Sequence, residues 1–206
     1  MIISLVNLQS GVGKTTVAIN LALALSELRF RVLLIDADPH GKVLQWQRTA
    51  DSRAFAIKHY PRAASQTVLA EIVKGYTHTV IDAPPAVGEI ARSILMVSDL
   101  VIIPVEANAV CDRLTRETVS LVQETREHNR DLVAKLLISK KIPGAELAPK
   151  TLEALEGFGI DILGTAIGER MTYVTAMIAG LSVAHYPHCQ AAREIRNLCG
   201  ELLDSL

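Results

Sequence analysis

Residues 7–16 read Asn-Leu-Gln-Ser-Gly-Val-Gly-Lys-Thr-Thr, and this stretch decides how the rest of the chain is interpreted. A short apolar run, residues 2–6, precedes it, and an Ala- and Leu-rich helical pattern follows from about Lys14. Gly11 and Gly13 lack side chains, so the backbone can curl there and point successive N–H groups inward. A helix start adds free N–H donors and a partial positive charge. Together these features predict a phosphate-binding loop.

Two side chains after the glycines have the chemistry that a bound phosphate requires. The Lys14 ammonium can reach the terminal phosphates of a nucleotide, and the Thr15 hydroxyl can coordinate Mg²⁺. The loop departs from the strict pattern of glycine, four residues and Gly-Lys-Ser/Thr, because Leu8 stands where that pattern has its first glycine. An ordinary turn before a helix is the alternative for this string alone, so further signals must decide.

Length and composition limit the possible classes of protein. The 206 residues predict a single domain spanning residues 1–206, and a hydrophobic fraction of 50% is enough for a large core. With a net charge of −1, no overall field draws the chain to nucleic acid or membrane, so such binding would need a local basic patch. The three cysteines are widely spaced, and no leader or membrane-length apolar run is visible, so we expect a cytoplasmic protein.

Apolar strand-like runs alternate with helical patterns along the chain. Strands are predicted at residues 2–6, 32–35, 55–60, 79–81, 100–105, 132–138 and, as strand or extended chain, 160–167. Helices are predicted at residues 17–28, around Trp46, and at 65–74, 112–129, 148–158, 173–179 and 191–203. Uniformly apolar strands that alternate with helices predict an α/β fold, a mostly parallel sheet with helices on both faces.

Acidic residues follow two of the predicted strands where each strand ends. Asp36 and Asp38 follow residues 32–35, and Asp82 follows residues 79–81. Ligands of such sheets bind beyond the carboxyl ends of the strands, so these carboxylates should meet the loop at one edge. Phosphate facing several carboxylates calls for a divalent cation, and the chemistry implied is Mg²⁺-assisted nucleotide hydrolysis. We expect Asp82 to hold the metal through water, Asp36 to share that water shell, and Asp38 to position the attacking water.

The order of four motifs carries a resemblance to a known family. These are Gly-Val-Gly-Lys-Thr-Thr, Leu-Ile-Asp-Ala-Asp-Pro, Val-Ile-Asp-Ala-Pro-Pro and Ser-Asp-Leu-Val-Ile-Ile-Pro-Val. In this order the chain resembles the ParA/MinD family of deviant Walker ATPases, which are P-loop NTPases of the SIMIBI type, and within it the small plasmid-partition proteins of the ParF type. The resemblance covers essentially the whole chain, including residues 166–181.

The resemblance implies a function and a set of site residues. Family members bind ATP and Mg²⁺, dimerise with two nucleotides sandwiched between them, bind DNA without sequence preference on the nucleoid, and release it when a ParB-like adaptor stimulates hydrolysis. By position, Lys14 would be the phosphate lysine, Asp38 the Walker A′ carboxylate that orients water, and Asp82 the Walker B carboxylate. The nucleotide-binding residues would be Gln9, Ser10, Gly11, Val12, Gly13, Lys14, Thr15, Thr16 and, at the adenine, Ser139, with Thr15, Asp36 and Asp82 around the metal.

Two positions depart from the family loop, which reads Lys-Gly-Gly-x-Gly-Lys-Thr-Thr. Gln9 replaces the signature lysine, and Ser10 replaces the following glycine. Glutamine keeps a hydrogen-bond donor but loses the charge, and charge-assisted bonds to phosphate are about twice as strong as neutral ones. We therefore expect weaker or differently controlled dimer formation and slow hydrolysis. Ser10 would be strained if its φ were positive. Relatives that position protein cargo, such as carboxysome distributors, also lack the signature lysine.

Other surface features give weaker signals. A DNA-facing basic strip is one interpretation of Lys140, Lys141, Lys150, Arg170, Arg193 and Arg196, and ordinary solvated charge is the other. The chain end is acidic rather than a basic amphipathic helix, so no membrane binding is expected. His185, His188 and Cys189 favour a surface loop over a metal site, because no fourth ligand stands at a usual spacing. His40, where the family has glutamine, is expected to be a solvated loop residue.

The sequence leaves several functions open. The leading hypothesis is a partition ATPase that segregates plasmid or chromosome cargo with a ParB-like adaptor. A positioner of protein cargo, of the carboxysome or chemoreceptor type, shares the chemistry and differs in the adaptor. Gln9 and Ser10 also allow a nucleotide-gated scaffold with little hydrolysis. A small-molecule ligase or kinase similar to dethiobiotin synthetase is the remaining alternative on the same fold.

Overall fold

The sheet has seven strands, and all of them are parallel. A computed structural model describes residues 1–50, 54–86, 88–107 and 112–204, so Cys111 lies outside the described residues. The strand order is β3-β2-β4-β1-β5-β6-β7. The strands are β1 Ile2–Leu5, β2 Val32–Asp36, β3 Ala56–His59, β4 His78–Asp82, β5 Leu100–Glu106, β6 Val133–Ser139 and β7 Asp161–Ile162. This architecture confirms the predicted fold class.

Helices connect the strands. They are α1 Lys14–Glu27, α2 Lys42–Thr49, α3 Gln66–Val73, α4 Glu89–Leu95, α5 Arg113–Arg126, α6 Pro149–Glu156, α7 Met171–Ile178 and α8 Gln190–Asp204, with a short 3₁₀ helix at Val183–His185. The sequence did not predict α4, a seven-residue helix that starts at a glycine without a side-chain cap. The extended segment expected at residues 160–167 contains only the two strand residues of β7.

Two apolar layers cover the two faces of the sheet. One layer combines α1, α2, α7 and α8, and the other combines α3, α4, α5 and α6. Helix α1 is buried almost all round, with Ala18, Ile19 and Leu21 completely inaccessible, because the sheet lies on one side of it and α8 on the other. This arrangement confirms the expectation that the helix after the loop is covered on more than one face.

The strand register brings the predicted site residues to one edge. In the order β2-β4-β1, Asp36 pairs with Asp82, and Asp82 pairs with Leu5 at the end of β1. On the other side of β1, Glu106 of β5 pairs with Ser139 of β6. The loop at residues 6–13, both acidic strand ends and Ser139 therefore lie at the same edge of the sheet, as the parallel arrangement predicts.

Candidate nucleotide-binding site

The loop between β1 and α1 needs two left-handed backbone positions. Gly11 has a φ of 82° and Gly13 a φ of 93°, conformations that are costly for residues with a Cβ atom. Ser10 is exposed and is not among the positive-φ residues, which outside glycine are Arg29 and Lys140 in the described part of the chain. The serine that replaces a family glycine therefore fits the loop without backbone strain.

Contacts to β5 and α5 anchor the first half of the loop. The Asn7 side chain donates from Nδ2 to the carbonyl of Pro104 at 2.8 Å and accepts from the N–H of Gln9 at 2.8 Å. The N–H of Leu8 donates to Oγ1 of Thr118 at 3.0 Å. All three bonds are buried or partly buried, so they fix the loop to the sheet and to α5.

Lys14 lies folded across the loop. Its Nζ donates to the carbonyl oxygens of Asn7 and Gln9, both at 2.7 Å, and the residue is 6% exposed. Burial lowers the pKa of Lys14 to about 8, although the charges of Asp82 and Asp38 act against this. Two backbone carbonyls of the loop thus hold the ammonium, and its contact with the terminal phosphates stays a prediction.

Thr15 and Asp82 form a pair with the chemistry of a magnesium site. The Thr15 hydroxyl donates to Oδ2 of Asp82 at 2.7 Å, while Oδ1 of Asp82 is buried without a hydrogen-bond partner. Burial, with the neighbouring charge of Asp36, raises the pKa of Asp82 to about 7. A hydroxyl and an unpartnered carboxylate oxygen are the hard oxygen ligands that Mg²⁺ prefers, so these residues fit the predicted metal.

Asp36 holds the start of α2. Its Oδ2 accepts from the N–H groups of Val43 and Leu44 at 3.0 and 3.1 Å, and its Oδ1 accepts from the N–H of Asp38 at 3.2 Å. Burial raises the pKa of this carboxyl, while the same amide hydrogen bonds act to lower it. The structure therefore shows Asp36 fixing the loop that carries Asp38, and its place in the metal's water shell stays a prediction.

Asp38 is 2% exposed and lies at the wall of an open cleft. Its Oδ1 accepts from the N–H of His40 at 2.9 Å, and its Oδ2 lies 3.4 Å from Nζ of Lys42. The cleft has a volume of about 400 Å³ and lies between the loops that follow β2 and β4. Its described lining residues are Asp38, Pro39, His40, Ala63, Pro84, Pro85, Ala86, Gly88, Glu89 and Ile90. His40 is exposed, in agreement with the expected solvated loop position.

A second cavity lies beside the glycines, on the side of β6 and α7. Its volume is about 180 Å³, and its described lining residues are Gly11, Val12, Gly13, Thr16, Val17, Ser139, Lys140, Ile167, Gly168, Glu169, Arg170, Tyr173 and Val174. The Ser139 hydroxyl is buried without a hydrogen-bond partner. It is the predicted adenine residue, and a free buried donor and acceptor on a mostly apolar wall fits a nucleobase. The sequence predicted no nucleotide-binding role for residues 167–174, and it gave Arg170 only as a candidate DNA contact.

Glu194 of α8 fixes the wall of this second cavity. Its Oε1 accepts from Nε and Nη2 of Arg170 at 2.8 and 2.7 Å, and its Oε2 accepts from the N–H of Gly168 at 3.1 Å. The Tyr173 hydroxyl lies 3.1 Å from the same Oε2 and also 3.1 Å from the carbonyl of Ala191. One nearly buried carboxylate, 7% exposed, thereby holds three residues of the wall.

Comparison of the sequence with known protein families gives one match that spans this site. The model of the CobQ/CobB/MinD/ParA nucleotide binding domain matches residues 3–183. The chain belongs to this family. The match confirms the resemblance to ParA/MinD proteins, and it covers the loop, both acidic strand ends and the wall at residues 167–174.

Individual relatives cover nearly the whole chain. The maintenance of carboxysome distribution protein A of Halothiobacillus neapolitanus is 26% identical over 211 residues, covering 98% of this chain and 96% of that protein. The chromosome-partitioning ATPase Soj of Thermus thermophilus is 26% identical over 235 residues, covering 98% and 94%. Cobyrinic acid a,c-diamide synthase from Mycobacterium smegmatis, solved with ADP and magnesium, has a TM-score of 0.78 at 17% identity, covering 98% and 93%, a likeness in fold alone.

Gln9, at the position of the family's signature lysine, has a buried side-chain oxygen without a hydrogen-bond partner. The side-chain Oε1 of Gln9 is buried and has no hydrogen-bond partner, while its backbone carbonyl accepts from Lys14. The amide oxygen of Gln9 thus faces protein rather than solvent. The Gln9 side chain carries no charge, whereas the family resemblance implies a lysine at this position.

The remaining surface predictions have mixed outcomes. Arg170 is bound to Glu194, and Lys140 is paired with Glu106 at 2.6 Å, so two members of the proposed basic strip have intramolecular partners. The described residues contain no cluster of three or more His, Cys, Asp or Glu suited to a metal, and His185 instead bonds to Ser182. Among the described helices, none has the length and apolar character needed to cross a membrane.

Proposed function

We propose that this protein is a Mg²⁺-dependent ATPase that works as a dimerising switch to position a cargo. The observation that carries the proposal is the arrangement of Thr15 and Asp82, with one carboxylate oxygen unpartnered, beside the buried ammonium of Lys14. The family match to a nucleotide binding domain supports it, as does the magnesium and ADP bound in the synthase of the same fold.

Each group at the edge has a defined task in this proposal. The backbone N–H groups of the loop and the Lys14 ammonium bind the β- and γ-phosphates. Thr15 and Asp82 would hold Mg²⁺, which would neutralise the charge that develops on the phosphates. Asp38, buried and held by the N–H of His40, orients the attacking water. Ser139 and the wall that Glu194 holds receive the base.

The open cleft beside Asp38 favours water over a bulky substrate as the acceptor. Its described lining is mostly small or apolar, with proline at three positions, and it includes no lysine or arginine. Lys42 lies near this wall, but it is paired with Asp38 at 3.4 Å, and a ligase or kinase that activates a carboxylate substrate would need cations in the cleft lining to bind it. The alternative similar to dethiobiotin synthetase therefore has less support than hydrolysis.

The cargo follows from relatives rather than from geometry. The two relatives named above are a carboxysome distribution protein and a chromosome-partitioning ATPase. The chain matches at least 94% of the length of each. Gln9 in place of the signature lysine favours the protein-cargo type, with plasmid or chromosome cargo and a ParB-like adaptor as the second candidate. In either case we propose an ATP-dependent homodimer that binds non-specific DNA on the cytoplasmic nucleoid.

Hydrolysis of ATP with and without non-specific duplex DNA tests the switch. We expect a slow basal rate that DNA increases, no rate for Lys14→Ala, and ATP binding without hydrolysis for Asp38→Ala. DNA affinity should fall steeply as salt rises, because phosphate contacts release counterions. Tight ATP binding by the unchanged protein without any turnover would contradict the ATPase and support the nucleotide-gated scaffold instead.

A gene deletion in the source organism separates the two cargo types. Loss of spacing of a protein assembly with normal plasmid retention would support the protein-cargo type. Frequent plasmid loss with normally distributed assemblies would support the partition type. Complementation of the deletion with the wild-type gene and with the Lys14→Ala gene is the control, because it tests whether the phenotype depends on the candidate nucleotide site.

A further inference from the structure

We propose that Lys42 supplies the positive charge at the terminal phosphate that Gln9 does not supply. The inference rests on the proposed binding of ATP at this edge of the sheet. Lys42 is the first residue of α2, directly after Gly41, whose φ of 62° turns the chain into the helix. It therefore stands four residues after Asp38, on the loop that faces the phosphate-binding loop across β4.

The backbone around Lys42 is fixed while its side chain is free to move. Asp36 accepts from the N–H groups of Val43 and Leu44, so the first turn of α2 is tied to the buried end of β2. The Lys42 side chain is 44% exposed. A fixed Cα with a mobile four-carbon stem allows the ammonium to exchange partners without a rearrangement of the fold.

The contact between Lys42 and Asp38 is loose. The distance of 3.4 Å between Nζ and Oδ2 exceeds the range of about 2.7–2.9 Å for a strong charge-assisted hydrogen bond. Asp38 is 2% exposed, so the ammonium approaches a buried carboxylate from the solvent side. The positive charge of Lys42 also helps to lower the pKa of Lys14, so the two ammonium groups lie close enough to repel each other.

Charge balance at the edge gives Lys42 its task. Asp36, Asp38 and Asp82 converge there, and these carboxylates repel a polyanionic ligand. Bound Mg²⁺, Lys14 and Lys42 would oppose that repulsion, whereas Gln9 brings no charge. A terminal phosphate that takes the Lys42 ammonium also releases Oδ2 of Asp38, the carboxylate oxygen that the proposed function needs for water. Lys42 thus links recognition of the third phosphate to the freeing of Asp38.

Nucleotide binding to Lys42→Ala provides the first test. We would measure the dissociation constants of ADP and of AMPPNP with Mg²⁺ by calorimetry. The AMPPNP affinity should fall about tenfold, while the ADP affinity should stay within about twofold, since only AMPPNP carries a third phosphate. Arg48→Ala is the matched control because Arg48 is an exposed cation near the other end of the same helix. It should leave both affinities and the melting temperature unchanged.

A rescue variant provides the second test. Gln9→Lys combined with Lys42→Ala should recover the AMPPNP affinity and the ATPase rate that the single variant loses. The inference is overturned if Lys42→Ala keeps the wild-type ratio of ADP to AMPPNP affinities, if it weakens both nucleotides equally, or if the added lysine at position 9 rescues nothing. Failure of the unchanged protein to bind either nucleotide would instead overturn the proposed function.

Discussion

The two sides of the candidate site are built in different ways. The phosphate side uses backbone groups in a loop whose shape depends on Gly11 and Gly13, together with strand-end carboxylates that follow their strands directly. The base side uses side chains from three distant parts of the chain, Ser139, residues 167–174 and Glu194, held together by a buried carboxylate. The first is fixed by local geometry and the second by tertiary contacts.

The two sides differ in their effect on the stability of the folded state. The phosphate side keeps Asp82 and Lys14 buried with their pKa values shifted toward the neutral forms, so it holds groups that weaken the folded state. The base side pairs its buried charge, because Glu194 has Arg170 as its partner. We therefore expect substitutions on the first side to trade stability against nucleotide chemistry, and substitutions on the second to affect recognition of the base.

The largest expected effect is on the pH dependence of stability. The folded-state pKa of Asp82 is about 7 and its usual value is 3.8, so the folded state holds an extra proton between these values. The free energy of unfolding should therefore fall as the pH rises from about 4 to about 7. A measurement at about pH 5 and at about pH 8 covers most of this range, and we expect a difference on the order of 3 kcal/mol between them. Urea unfolding of metal- and nucleotide-free protein measures it.

Asp82→Asn is the control for this pH dependence. The variant cannot release a proton at this position, so it should lose that part of the slope and be more stable than the wild type at pH 8. If the free energy of unfolding had the same pH dependence in both proteins, groups other than Asp82 would cause it. The phosphate side would then not destabilise the folded state through this carboxyl.

The next effect concerns the phosphates alone. Lys14→Ala should weaken both ATP and inorganic triphosphate about 100-fold, since its ammonium lies in the loop that binds the shared phosphates. Competition binding with a fluorescent nucleotide measures both ligands. Lys150→Ala, at an exposed lysine of α6, should change neither. A loss confined to ATP would mean that Lys14 acts through the base side.

Gly180→Ala tests the close packing between the end of α2 and the segment that follows α7. Gly180 has a φ of 67°, and an added Cβ would clash with the backbone carbonyl of Thr49 at the end of α2. Since α2 carries Lys42 and α7 forms the base wall, we expect a loss of about 2 kcal/mol in stability from the forced separation. Thermal unfolding measures it. Gly200→Ala, in α8 with open space around it, should be slightly stabilising.

The smallest effect separates base from phosphate. Glu194→Gln should weaken ATP about tenfold, because Arg170 and Gly168 lose a charged acceptor, while inorganic triphosphate should bind as before. Glu201→Gln is the matched control, a carboxylate of the same helix that accepts from Gly164 and Thr165 outside the cavity. If triphosphate weakened as much as ATP, the wall would not be specific to the base.

The same contrast explains what could be read from the sequence. The sequence predicted that the loop and the acidic strand ends would meet at one edge of the sheet, because the loop residues are adjacent in the chain and the parallel-sheet rule brings the strand ends together. Ser139 came from the family resemblance alone. Glu194 could not be found, since a glutamate in an amphipathic helix has the same local pattern whether it is solvated or bound to Arg170.

Two features of the structure depend on contacts that the sequence did not reveal. Arg170 was a candidate DNA contact, but its guanidinium is bound to Glu194, a partner 24 residues away that no local pattern reveals. The segment at residues 160–167, expected as strand or extended chain, has its two strand residues in β7, and the N–H of Ile167 donates to the carbonyl of Ile138 at 2.8 Å. Both features depend on how distant segments meet, which propensity and periodicity do not report.

The indole of Trp46 joins α2 to the segment that follows α7. Its Nε1 donates to the carbonyl of Leu181, just after α7, and its ring stacks on Phe55 with 6.1 Å between centroids. The chain has no other tryptophan. Intrinsic fluorescence of this protein is therefore the signal of a single, nearly buried reporter on the helix that begins with Lys42. A change in its emission on adding nucleotide would be an optical readout of α2 moving against α7, available without any label.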